Sequence, residues 1–82
     1  MSIAAFIERQ RVIRHAVLCA LYRARMEGED IYLSAVLMEL GHEMGECRFA
    51  LDYLAEAQCI YANGLKSRIT AKGIDRYEED LR

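Results

Sequence analysis

The chain has 82 residues, room for one domain with a modest core. Hydrophobic residues make up 54 % and charged residues 29 %, a balance that excludes a disordered chain. The net charge of −2 excludes a general polycation, and three cysteines without a C-x-x-C spacing exclude a disulfide framework and a zinc ribbon.

Ser2 stands where an N-cap belongs, and no glycine or proline interrupts the next stretch. A long first-helix segment over 1–26 is therefore predicted, with the helix itself from Ile3 to Met26, about 36 Å long at roughly 1.5 Å per residue. Phe6, Ile13, Val17, Ala20, Leu21 and Ala24 recur along it at helical spacing. Gly28 in "EGED" is its natural stop. "IYL" is a short β-type run. Ser34 then reads as the N-cap of a second helix over 34–40, closed by Gly41. "GHEMG" turns the chain into a third helix over 45–58. Its core stripe is Cys47, Ala50, Leu51, Leu54 and Gln58. In 59–70 two short runs flank Asn63-Gly64, a pair suited to the positive φ angles of a type I′ turn, so a hairpin is predicted. Thr70 reads as the cap of a last helix over 71–81, which Gly73 weakens. The expected class is a single domain over 1–82, mainly α with a small β-hairpin (α+β).

This order is carried by "YLSAVLMELGHEMGECRFALDYLAEAQCIYANGLKSRITAKGIDRYEE". With its "ALDYL" run and a basic strand ending in "ITAKG", it resembles the winged-helix family, a helix-turn-helix followed by a β ribbon, over roughly residues 31–79. The long first helix exceeds what a minimal member uses. The size also fits a small prophage-encoded protein. The resemblance implies a DNA-binding or transcription-regulatory accessory protein acting on double-stranded DNA; the lack of a triad, dyad or cofactor loop in so short a chain adds the expectation of no catalytic activity and no cofactor. It implies that helix 45–58 enters the major groove and that the hairpin is a wing touching the backbone. Arg48 would then meet a phosphate or base edge, and Lys66 and Arg68 would hold the wing on phosphates.

Charge is unevenly spread. Residues 1–26 carry five arginines and one glutamate, whereas 27–56 carry eight acids and one arginine. Glu43, Glu46, Asp52 and Glu56 lie in or just before the third helix and oppose contact with phosphates. The side of that helix opposite its core stripe presents Gly45, Phe49, Asp52 and Glu56, with Glu46 and Tyr53 flanking. An alternative follows: a protein-interaction module using Phe49, Asp52, Tyr53 and Glu56, without direct DNA binding. Arg11, Arg14, His15 and Arg25 lie broadly on one side of the first helix, and Lys72 and Arg76 share a face of the last. Their convergence is open at the level of sequence.

Ile3, Phe6, Ile7 and Ile13 form a stripe on the first helix, interrupted by Gln10. Unless Ile74, Tyr77 and Leu81 of the last helix cover it, the stripe predicts a homodimer. His42, Glu43, Glu46 and Cys47 cluster in "GHEMGEC", but the spacing matches no zinc pattern and no metal is expected. Neither a phosphate-cradling glycine loop nor a nucleophile–histidine–acid set is recognisable. The apolar run Ala16–Tyr22 is too short to cross a bilayer. No signal-type pattern opens the sequence, so a cytoplasmic protein with reduced, buried thiols is expected.

Overall fold

The computed structural model of the protein describes residues 2–63 and 66–82. Four helices and three short strands follow one another: α1 (Ile3–Met26), β1 (Ile31–Tyr32), α2 (Leu33–Leu40), α3 (Met44–Glu56), β2 (Ile60–Asn63), β3 (Lys66–Ile69) and α4 (Ala71–Asp80). The molecule is mainly helical with a small antiparallel sheet. The type I′ turn expected at Asn63-Gly64 rests on Gly64, outside the described residues.

α1 is the hub. It packs on α2, α3, α4 and β3. The Ser2 hydroxyl accepts from the Ala5 N–H (3.2 Å), and Gly28 follows the helix at φ +75°. Ile13, Val17, Leu18 and Leu21 meet Ala50 and Leu54 of α3 and Ile60 and Ile69 of the sheet in one core cluster. Gln10, the gap in the expected stripe, is itself buried: its Nε2 donates to the Glu46 carbonyl (2.9 Å).

The start of α2 differs from expectation. Tyr32, not Ser34, is its N-cap, and Ser34 lies inside the helix. Pairing with β3 ends at Tyr32, and Leu33 turns at once into the core. Gly41 closes α2 at φ +69°, and two more residues lead into α3. α3 ends before Gln58, which is exposed at φ +62° and so leaves the expected core stripe.

The sheet order is β1-β3-β2. Ile31 lies opposite Ser67, and Ile60 opposite Ile69. Sequence patterning suggests the β2–β3 pair and the short β-type run of β1, but not that β1 pairs with β3, because two residues carry no period. α4 is locked to the sheet at its first turn. Thr70 Oγ1 accepts from the Gly73 N–H (3.0 Å) and donates to the Gln58 carbonyl. Gly73, expected only to weaken this helix, is what lets it seat: a Cβ there would collide with the Cys59 carbonyl oxygen and Ile69.

Candidate functional site

β3 alternates. Ser67 and Ile69 are buried, while Lys66 and Arg68 are exposed on the other face, as a period of two requires. The Lys66 ammonium lies 5.6 Å from the centre of the Tyr32 ring. Arg68 reaches Asp30 at 3.3 Å across the β1–β3 seam, with both side chains about half exposed. Tyr61 stands opposite Arg68 on β2. Together Asp30, Tyr61, Lys66, Ser67 and Arg68 line an open cleft of about 410 Å³.

Arg48 is exposed on α3 and makes no hydrogen bond or ion pair among the described residues. It does not line the Lys66–Arg68 cleft. Glu46, counted among the acids of this helix, instead faces α1 and pairs with Arg9 at 2.9 Å. Asp52 and Glu56 remain exposed. The α3 surface is thus less acidic than its sequence.

The aromatic pair separates. Phe49 is 56 % exposed and meets Phe6 edge to face at a centroid distance of 5.1 Å. Tyr53 is half-buried against the core and carries the Arg14 guanidinium over its ring at 4.4 Å. Tyr53 therefore does not join Phe49 in an open patch. Ile3 and Ile7 are 78 % and 41 % exposed. Ile13 is fully buried beneath α3 and the sheet, so it is unavailable to a second chain. α4 covers the later half of α1, where Tyr77 meets His15 and Tyr22, and Leu81 stays exposed.

The basic residues of α1 and α4 divide. Arg11, Arg14, His15 and Arg76 line one cleft of about 320 Å³, with Leu18 and Leu54 at its apolar side and Asp80 at its rim. Hydrogen bonding to Tyr53 raises the Arg76 guanidinium above its ordinary value, although burial works the other way. Arg25 goes elsewhere and donates to the Ile69 carbonyl (2.7 Å), while Lys72 reaches the Gln58 side chain. Helical spacing hints at the α1 half of this cleft. That Arg76 joins it depends on how α4 docks, which spacing does not encode.

Burial, then the Glu46 carboxylate, push the Cys47 thiol up, so it is a protonated core group. Cys19, expected in the core, is only partly buried; hydrogen bonding with it and burial raise Tyr77. The Tyr22 hydroxyl donates to Glu78 (2.7 Å), and that bond raises it too. Among the described residues no helix is long and apolar enough to cross a membrane. Comparison with protein-family models, with curated proteins and with solved structures gave no match to this chain.

Proposed function

We propose that the protein is a winged-helix DNA-binding accessory protein, with α2 and α3 as the helix-turn-helix and β2–β3 as the wing. The observation that carries this reading is the outward pair Lys66 and Arg68 on the central strand of a sheet. The sheet adjoins two helices joined through a left-handed Gly41. Lys66 and Arg68 hold backbone phosphates in this reading, and exposed Arg48 supplies the contact from α3. Inward pairing of Glu46 with Arg9 removes one objection to α3 approaching a polyanion. The activity is binding, not catalysis, and it belongs in the cytoplasm.

Fluorescence anisotropy of a labelled random-sequence duplex tests it, at about 50 mM and about 200 mM salt. Micromolar binding that weakens steeply with salt is expected. Absence of binding at the lower salt sinks the proposal.

A second reading rests on a different observation, the exposed Phe49 against Phe6 of α1, the helix that also exposes Ile3 and Ile7. These residues, flanked by Asp52 and Glu56, suit a protein-contact face, and a second copy docking through Ile3, Phe6 and Ile7 gives a homodimer. A monomer mass by light scattering at high micromolar concentration removes the dimer. Where a partner uses this face as an anchor, Phe49→Ala costs on the order of 2 kcal/mol of binding.

A further inference from the structure

The cleft between α1, α3 and α4 is unused by either reading, and its construction is unusual for a chain of net charge −2. Arg11, Arg14 and Arg76 bring three permanent positive charges to one concavity, and only the Asp80 carboxylate answers them along its lining. Arg11 also meets Glu8 at 3.4 Å, but both side chains are mostly in water, where such a pair is weak and readily exchanged. Crowding guanidinia this way is unfavourable unless something anionic sits between them.

One of the three is held in place by a neighbouring side chain. Tyr53 offers its ring face to Arg14 at 4.4 Å. A guanidinium stacked in advance loses less freedom when it grips an anion. Tyr53 is itself anchored against the core, so that fork rests on a fixed support. Leu18 and Leu54, both almost fully buried, close its floor, and His15 adds an imidazole tilted against the Tyr77 ring. The volume, about 320 Å³, is at the small end of ordinary ligand sites.

From this geometry we propose that the cleft binds a small phosphate monoester, its phosphate on Arg11, Arg14 and Arg76 and its body above the floor that Leu18 and Leu54 close. Charge selects phosphate over other anions. After Asp80 is counted, two positive charges remain. A phosphate monoester brings about 1.5 to 2 negative charges at pH 7 and three acceptor oxygens, so it suits the cleft. A carboxylate or sulfate ester brings one charge and leaves the site half neutralised. The site is independent of the DNA reading, because its lining shares no residue with the Lys66–Arg68 cleft.

Phenyl phosphate is the probe, added to the whole protein while methyl and arginine side-chain NMR signals are followed. Saturable shifts are expected at Leu18, Leu54, Arg14 and Arg76. Arg76→Ala and Arg11→Ala should each weaken binding about tenfold, the loss of one charge-assisted contact, with melting temperatures close to the parent's. Lys66→Ala should leave it unchanged. Phenyl sulfate, the same body with one charge, should bind at least about tenfold more weakly. No saturable shift at millimolar probe overturns the proposal. So do shifts centred on Lys66 and Arg68, or equal affinity for phenyl sulfate. If a DNA duplex displaces phenyl phosphate and moves the same leucine signals, the phosphate is that of the nucleic-acid backbone and the small-ligand site is wrong.

Discussion

On β3, Lys66 and Arg68 come from one strand, two residues apart, and they meet two half-exposed neighbours, the Tyr32 ring and Asp30. In the α1–α4 cleft the cations come from two helices far apart in sequence, and a core-anchored tyrosine holds one of them, Arg14, on its ring. The strand surface is simple to encode and loosely held. It suits a long polyanion, which supplies many phosphates and tolerates imprecise contacts. The helical cleft needs the whole tertiary structure, is smaller, and suits a compact anion whose every oxygen is met. Similar positive charge is thus presented in two mechanical settings, and the setting decides what can be bound.

The α1–α4 cleft is most sensitive at Gly73. Gly73→Ala drives a methyl into the Cys59 carbonyl and Ile69 and should unseat α4, taking Arg76 and Asp80 with it. A loss on the order of 3 kcal/mol is expected by urea denaturation, as for overpacking against backbone. An unchanged midpoint would mean that α4 does not seat as described. The next effect sharpens the contrast. Lys66→Ala combined with Arg68→Ala should flatten the slope of log affinity for duplex against log salt by about 1.8, two phosphates' worth. Arg76→Ala should leave that slope alone, and equal losses from both would merge the two surfaces into one.

A smaller change tests the joint between sheet and α4. Thr70→Ala removes the cap on the Gly73 N–H and the hydroxyl's bond to the Gln58 carbonyl, and should cost about 1 kcal/mol without altering duplex binding. The smallest effect is alkaline. The Cys47 thiol is raised above its ordinary value of 9.0 in the folded protein, so the unfolded chain ionises first. Its contribution is complete below about pH 9 and is lost as pH rises further. Urea midpoints for Cys47→Ala should therefore fall less than the parent's between about pH 9 and pH 10. Identical slopes would place that thiol in water.

Much of this architecture is legible in local sequence chemistry. Ser2, Gly28, Gly41 and Thr70 mark helix ends by their own side chains or backbone freedom, and each occupies its expected capping or terminating place. The alternation that turns Lys66 and Arg68 outward is local too. The illegible part depends on contacts distant in sequence. The β-type run of β1 is legible, but its pairing with β3, which leaves Tyr32 and not Ser34 as the cap of α2, is not. Ile13 has the spacing of an unpaired stripe, but α3 and the sheet close over it. Tyr53 has the spacing of a free aromatic, but Arg14 lies on its face. The cationic cleft requires knowing which side of α4 meets α1, and a ten-residue helix does not state its docking angle.

The bond from Tyr22 to Glu78 joins positions 56 apart, and Tyr77 stacks on the same tyrosine. The first helix of this small fold is therefore completed by the last. A chain emerging in order from a ribosome would have α1 long before its cover exists, with Val17, Leu18 and Leu21 uncovered in the interval. Native closure must wait for long-range docking, so a slow assembly step is expected even in so helical a protein. The arginines on α1, charged and close to that apolar face, are well placed to keep the unfinished chain in solution meanwhile.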